Sequence, residues 1–209
     1  NSIGVGPEAA KILIGGLTTH NVSVTGSISS RDGDISISNQ VISGVTTGAG
    51  VVVRGSISST GQGDDAATIT IEGRGANNRA GVQLFDQTSI TSVDGNIGLS
   101  GSSSTAHAGV LLSRFDRIES TGSGTGAATI TIEGTAGGGA SGIDIFGNAS
   151  SLITSRDGNV LLRGFGGSGT DGDNMGVRFD EGIISSTGQS AGAATISIEG
   201  VGGTGDRNS

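Results

Sequence analysis

The chain has 209 residues, of which 42 are glycine and one is proline, and it contains no cysteine, tryptophan or tyrosine. Its 11 basic and 19 acidic residues give a formal net charge of -8, which argues against a nucleic-acid or anionic-membrane partner because both require a basic surface. Without cysteine the chain has no disulfides or thiolate metal sites, and no apolar run approaches the roughly 20 residues that span a bilayer. The sequence lacks an initiator Met and a signal-peptide pattern, so we expect a processed chain or an excised fragment.

One short pattern, Gly-(Val/Ile)-x-(aliphatic or Phe), recurs along the chain. A first copy begins at Asn21, and Ile12-Leu13-Ile14 has the form of the end of an earlier copy. Self-similarity at a fixed period of this size is the sequence signature of a solenoid. The later copies begin at Gly50, Gly81, Gly109, Gly142 and Gly176, in steps of 31, 28, 33 and 34 residues.

Each copy contains three short segments in which apolar and polar residues alternate. In one copy these are Val51–Val53, Ile57–Ser59 with the form Ile-x-Ser, and Ile69–Ile71. Period-two alternation in such short runs indicates β-strands with one buried face. Three strands per coil of about 28–34 residues predict an all-β, parallel β-helix over residues 1–209 as a single domain. Parallel crossovers are overwhelmingly right-handed, so we expect a right-handed coil.

The predicted interior consists of aliphatic columns, because equivalent strands stack in register. A single coil has too few large apolar residues to fold alone, so its stability depends on its neighbours. The serine of Ile-x-Ser should also face inward, where we expect its hydroxyl to hydrogen-bond up and down the stack.

The copies alternate between two kinds, which predicts a duplicated two-coil unit. One kind carries an Asp-Gly turn before the third strand, where Asp suits the turn and Gly allows a positive φ. The other kind carries a longer Ser-Thr-Gly loop followed by Ala-Ala-Thr-Ile. The Asp-Gly turns are Asp32-Gly33, Asp94-Gly95 and Asp157-Gly158.

Outward charges provide a check on how the coils align. In the third strand, Arg163 should lie between Glu133 and Glu199, and in the first strand Asp144 should face Arg178. Exposed pairs of this kind contribute about 0–1 kcal/mol each, so we interpret them as marks of register.

Carboxylates offer the main candidate for catalysis, since paired acids hydrolyse glycosides on β-helices. A catalytic group should occur once, whereas the Asp-Gly residues recur in alternate coils. The chain also has only five Phe to serve as sugar platforms. We therefore expect a non-catalytic protein, with His20 and His107 as solvated loop residues. The candidate carboxylates are Asp32, Asp94 and Asp157, or Asp116, Asp180 and Glu181.

Calcium is the only cofactor for which the sequence offers candidates. Residues 166–173 resemble one nonapeptide of the calcium-binding repeats-in-toxin family. The segment departs from that pattern at Asp173, where an aliphatic residue should stand, and no second copy follows. The weak calcium candidates are Asp64, Asp65, Asp171 and Asp173.

The combined pattern Ile-Thr-Ser-x-Asp-Gly-Asn-(Ile/Val)-x-Leu, then Gly-Gly-x-Gly and (Asn/Met)-Gly-Val, resembles the repeats of filamentous-haemagglutinin-like bacterial exoproteins exported by two-partner secretion. The resemblance covers residues 21–209 and is specific for the β-helical shaft, while the family's Asn-Pro-Asn-Leu secretion motif is missing. It implies an extracellular or cell-surface location and an adhesive or matrix-building role.

Two functions stay open from the sequence. The first is a structural or adhesive shaft that continues in a longer chain or associates end to end, because its ends expose strand edges and core. The second is a carbohydrate-binding or polysaccharide-cleaving module. We expect any cell-surface or polysaccharide ligand to bind the variable loops after the third strand. These loops are residues 73–80, 101–108, 134–141, 164–175 and 200–209.

Overall fold

A computed structural model describes residues 1–6, 9–18, 20–41, 50–146, 151–170, 174–188 and 193–205. The regular structure of these residues is entirely β, in nineteen strands that form three parallel sheets. No helix in these ranges is long and apolar enough to cross a membrane.

Each sheet forms one face of a three-sided solenoid. Face 1 contains β2 (Val22–Val24), β5 (Val51–Val53), β8 (Val82–Leu84), β11 (Val110–Leu112), β14 (Ile143–Ile145) and β17 (Val177–Phe179). Face 2 contains β3 (Ser27–Ser30), β6 (Ser56–Ser59), β9 (Ser89–Ser92), β12 (Arg117–Ser120), β15 (Ser151–Ser155) and β18 (Gly182–Ser186). Face 3 contains β1 (Ile12–Thr18), β4 (Ile35–Val41), β7 (Ile69–Gly75), β10 (Ile97–Ser103), β13 (Ile130–Thr135), β16 (Val160–Phe165) and β19 (Ile196–Val201).

Successive coils, numbered 1–6 from Val22, take one strand from each face in turn. The six-stranded sheets make five steps from coil to coil, so the solenoid has about five turns. The predicted all-β parallel solenoid with three strands per coil is therefore confirmed. We name the connections the first corner (face 1 to face 2), the second corner (face 2 to face 3) and the third corner (face 3 to face 1).

The core is one continuous set of aliphatic columns. In face 1, Val51 pairs with Val82, which pairs with Val110 and then Ile143, and all four are buried. Each fully buried Val or Ile contributes about 1.5–3 kcal/mol. Because each side chain is covered by its equivalents above and below, the interior of coils 1 to 5 forms a single cluster.

The serine column lies inside as predicted, but its hydrogen bonds run differently. The hydroxyl of Ser30 donates to the carbonyl of Gly33, and that of Ser92 donates to the carbonyl of Gly95, so both bonds close within one coil. The Oγ atoms of Ser59, Ser120 and Ser155 have no hydrogen-bond partner in the described part of the chain. The predicted bond along the stack occurs at Ser186, whose hydroxyl donates to the carbonyl of Arg156 in the preceding coil at 3.4 Å. For the five buried serines of the column the prediction is wrong. The buried serines of the Ile-x-Ser column are Ser30, Ser59, Ser92, Ser120 and Ser155.

Both predicted charge pairings are confirmed. Arg163 Nε lies 2.9 Å from Glu199 Oε2, and its Nη1 lies 3.4 Å from Glu133 Oε1. Arg178 Nε lies 3.9 Å from Asp144 Oδ1. The coils are therefore aligned as the repeat predicts.

Glycines of the third corner let face 3 meet face 1. A Cβ on Gly101 would lie 2.1 Å from the carbonyl oxygen of Gly109, and equivalent glycines in neighbouring coils are as tightly placed. In coil 1, Asn39 takes this position and its Nδ2 donates to the carbonyl of Gly50 at 2.7 Å. This close approach of the two backbones explains why glycine stands both near the end of the face 3 strand and just before the face 1 strand.

We expect Gly101→Ala to lower the free energy of unfolding by about 1–3 kcal/mol, since its methyl group would collide with backbone. Gly98→Ala, in the same strand, is the matched control, because its Cβ would meet nothing closer than the Ile69 carbonyl oxygen at 4.0 Å. It should be neutral or stabilise by about 0.5 kcal/mol. Urea unfolding followed by circular dichroism measures both, and equal losses would contradict the close-approach explanation.

Candidate functional site

The recurrent candidate acids of the second corner bind the backbone of the preceding coil. Asp94 Oδ2 accepts a hydrogen bond from the Gly63 N–H at 2.8 Å, and Asp157 Oδ2 accepts from the Gly124 N–H at 2.7 Å. Asp32 does the same to an earlier segment of the chain, with Gly6 as donor at 2.9 Å. These carboxylates therefore hold neighbouring coils together.

The second polar residue of the same turn reaches in the opposite direction. Asn96 Oδ1 accepts from the Thr129 N–H at 2.9 Å, and Asn159 Oδ1 accepts from the Thr195 N–H at 3.0 Å. In coil 1 this residue is Asp34, which accepts from Thr68 at 3.1 Å. We call each turn of this kind a clamp turn, since it binds one coil below and one above.

The glycine of the clamp turn is needed for a different reason from the one predicted. The positive φ lies instead in the long loops of the alternate coils, at Gly63 (78°) and Gly124 (79°). At Gly95 a Cβ would lie 1.9 Å from the carbonyl oxygen of Ala67 in the preceding coil. The predicted positive φ is therefore wrong, and the requirement is close approach between coils.

Asp116 differs from the recurrent acids, because its side chain is fully buried at the first corner of coil 4. Its Oδ1 accepts from the Thr88 N–H at 2.9 Å and its Oδ2 accepts from the Ser113 N–H at 2.8 Å. Burial raises the pKa of Asp116 to about 7, helped by the nearby Asp86 charge and opposed by the hydrogen bonds. The other two acids of this candidate set, Asp180 and Glu181, lie exposed in coil 6.

A buried polar network surrounds Asp116, and sequence reasoning missed it. Thr88 donates its hydroxyl to the Val53 carbonyl at 2.6 Å, and Ser151 donates to the Ser113 carbonyl at 2.7 Å. At the position equivalent to Thr88 and Asp116, coils 1 and 2 have glycine, and their first corners are shorter. The longer connections of coils 3 to 5 were the available signal. This network fixes the lengthened corners by joining them to each other.

The third-corner loops, predicted as an interaction surface, fold back over the outside of face 1. Ala80 and Ala108 pack there with Leu111. Beside them lies a cavity of about 280 Å³ lined in part by His107 and Arg178. His107 is half-buried, so the prediction of a solvated side chain is wrong for it. Its pKa is lowered mainly by burial and further by the positive charge of Arg79. His20 is exposed, as predicted.

The weak calcium candidates have different outcomes. Asp64 and Asp65 lie in the long loop of coil 2, beside a cavity of about 180 Å³ that Asp32 also lines. Among the described residues, no group of three or more His, Cys, Asp or Glu side chains is placed to hold a metal ion. Calcium binding at this loop stays a prediction. Asp171 and Asp173 lie outside the described residues.

We expect Asp94→Ala to lower the free energy of unfolding by about 1–3 kcal/mol, because it leaves the Gly63 N–H without its charged acceptor. Asp64→Ala is the control, since Asp64 is exposed in the neighbouring loop and its loss should stay within about 0.5 kcal/mol. Chemical unfolding at neutral pH measures the difference. Two equal, small effects would show that the clamp turn contributes nothing to stability.

The free energy of unfolding should fall as the pH rises from about 4 to about 7. The Asp116 carboxyl has a pKa of about 7 in the folded chain against 3.8 as a free group, so the folded state holds the proton more tightly. The resulting stabilisation is complete below pH 4 and lost above pH 7, a change on the order of 4 kcal/mol.

Thermal unfolding at pH 4.5 and pH 8 measures this dependence. Asp116→Asn should shrink the difference between the two melting temperatures, whereas Asp86→Asn, at an exposed position of the same corner, should largely keep it. An unchanged difference in the Asp116 variant would assign the pH dependence to other groups.

Comparison of the chain with protein-family models, with curated proteins and with solved structures finds no match. The structure supports the coarser part of the sequence resemblance, namely a β-helical repeat protein.

Proposed function

We propose that this chain is a non-catalytic structural or adhesive β-solenoid, a shaft segment of a bacterial surface exoprotein or extracellular filament. The observation that carries the proposal is the use of the recurrent acids. Asp32, Asp94 and Asp157 accept hydrogen bonds from backbone outside their own coil, so their role is to join coils. A shaft needs such joints at every second step.

The last described coil leaves side chains of its core exposed. Ile198 is 51% exposed, whereas Leu162, its partner in the preceding coil, is fully buried. Ile196 is likewise exposed, while its partner Val160 is buried. A further coil, supplied by the same chain or by a second copy, would cover these side chains by the stacking that already covers the core.

The location belongs to the same proposal. The repeats resemble those of filamentous-haemagglutinin-like exoproteins, which supports an extracellular or cell-surface place for the chain. The net charge of -8 fits a protein that binds neither nucleic acid nor an anionic membrane surface.

We expect the chain to associate end to end with rising concentration, and Ile198→Asp to weaken that association about tenfold or more. A charge placed on the open end of the core would have to be buried without a partner. Sedimentation velocity across a concentration series measures the association.

Ile183→Asp is the matched control, because Ile183 is 50% exposed but lies in the outward column of face 2, where it pairs with Leu152. It should leave end-to-end association unchanged. A wild-type chain that stays a monodisperse monomer at high concentration would contradict assembly through the ends.

The second candidate function is a carbohydrate-binding or polysaccharide-cleaving module on the same fold. Asp116 favours it, because it is the one acid among the described residues that is buried, and burial raises its pKa. Its oxygens, however, both accept from backbone N–H groups within the network of the first corner. Release of reducing ends from acidic or neutral polysaccharides, lost in Asp116→Asn, would support cleavage and overturn the non-catalytic proposal.

A further inference from the structure

We propose that the described residues of the first corner in coils 2 to 5 form a binding edge for a linear acidic polysaccharide. The exposed or half-buried side chains that define this edge are Arg54, Phe85, Arg114, Phe115 and Phe146. The assignment goes beyond the shaft function, and it rests on that proposal only in treating the ligand as bound and not cleaved.

The edge places at least one large aromatic or cationic group in each of coils 2 to 5. Arg54, Phe85 and Phe146 directly follow their face 1 strands, and the N–H of each donates to the strand of the preceding coil, at 2.7, 3.0 and 3.1 Å. In coil 4 the lengthened corner presents Arg114 and Phe115 instead. Three of the five phenylalanines of the chain therefore lie on one corner of the solenoid.

Phe115 is the most unusual member of the edge. Its side chain is 59% exposed, and its φ of 58° lies in the left-handed region that suits glycine. A bulky residue in this region is an outlier that costs conformational energy. Because most of the Phe115 side chain is exposed, its burial contributes little to stability and does not account for phenylalanine at this position. Contact with a ligand would.

The edge is held rigidly from inside. Asp116, next to Phe115, is anchored to the N–H groups of Thr88 and Ser113, and Ser113 donates its hydroxyl to the Leu84 carbonyl at 3.0 Å. The corner of coil 4 is thus tied to that of coil 3. A preorganised surface loses little entropy when it binds, which favours affinity.

Charge and shape select the partner. The Arg54 guanidinium lies 4.7 Å from the centre of the Phe85 ring, and Arg114 is exposed one coil further on. In coils 2 to 5 the exposed acid of this corner is Asp86, so the two arginines leave the edge net positive on a chain of charge -8. The other exposed acids of the first corner, Asp180 and Glu181, lie in coil 6, beyond the edge. Pairing two such chains side by side would be opposed by their net charges. An anionic ligand is attracted instead.

The spacing of the edge fits a sugar chain. Coils are about 4.8 Å apart along the stack, close to the length of one pyranose unit in an extended polysaccharide. A phenyl ring can pack on the apolar face of a sugar, and the exposed rings of Phe115 and Phe146 can make this contact. Guanidinium groups bind carboxylates with two parallel hydrogen bonds. A chain of uronic acids lying along the corner would use both kinds of side chain.

Fluorescence anisotropy with a labelled oligogalacturonate tests the assignment on the full chain, with a neutral cello-oligosaccharide of equal length as the comparison probe. We expect salt-sensitive binding of the acidic probe and much weaker binding of the neutral one. Phe146→Ala, and the double variant Arg54→Gln with Arg114→Gln, should each weaken binding about tenfold.

Matched controls lie on face 3. Phe146 and Phe165 are both 41% exposed, so Phe165→Ala removes the same ring from another edge, and Arg74→Gln removes an exposed arginine of β7. Both should leave binding unchanged. Phe115→Gly separates binding from folding, because glycine relieves the left-handed strain. It should raise the melting temperature by about 2–4 °C while weakening binding.

The possible outcomes test the binding edge and the shaft function separately. Absence of binding to the acidic probe, or an equal loss in Phe165→Ala and Phe146→Ala, would overturn the binding edge and leave the shaft proposal intact. Release of new reducing ends from the probe would overturn the non-catalytic proposal, while edge-dependent binding would still stand.

Discussion

Every feature of this molecule depends on the stacking of one coil on the next by parallel backbone hydrogen bonds. The stack keeps equivalent residues in vertical columns, so that Val51, Val82 and Val110 cover one another. A single coil has no such cover and would expose its aliphatic side chains to water. Stability is therefore shared between neighbours, and any interaction that holds two coils in register stabilises the core of both.

The corners divide the work of holding that register. At the second corner, each clamp turn binds the preceding coil through Asp94 or its equivalent and the following coil through Asn96 or its equivalent. At the third corner of coils 2 to 5, glycine allows the backbones of face 3 and face 1 to approach so closely that a Cβ would collide with a backbone carbonyl. The alternation of clamp turns with long loops follows from this geometry, because a turn that binds both neighbours is needed only in every second coil.

The first corner departs from the repeat, and the departure has a physical cost. Coils 3 to 5 replace a short glycine connection with longer segments, and the buried polar groups of Thr88, Asp116 and Ser151 then require partners. They find them in the backbone of the preceding coil: Asp116 accepts from the Thr88 N–H, Thr88 donates to the Val53 carbonyl, and Ser151 donates to the Ser113 carbonyl. The same segments carry Phe115 outward in a strained conformation. Rigidity inside and exposure outside are the two properties that a binding surface needs on a structural shaft.

The sequence by itself determined the solenoid, because period-two alternation and a fixed repeat leave one way to bury every aliphatic column. It also placed Arg163 between Glu133 and Glu199, since outward residues at equivalent positions must be neighbours. Only the tertiary structure decided the roles of the corners. Asp94 and Asp116 are both acids before or within turns, yet one binds the preceding coil and the other is buried in a network. Those roles depend on which backbone N–H groups the neighbouring coil presents, and corner lengths that differ between coils hide this from a linear pattern.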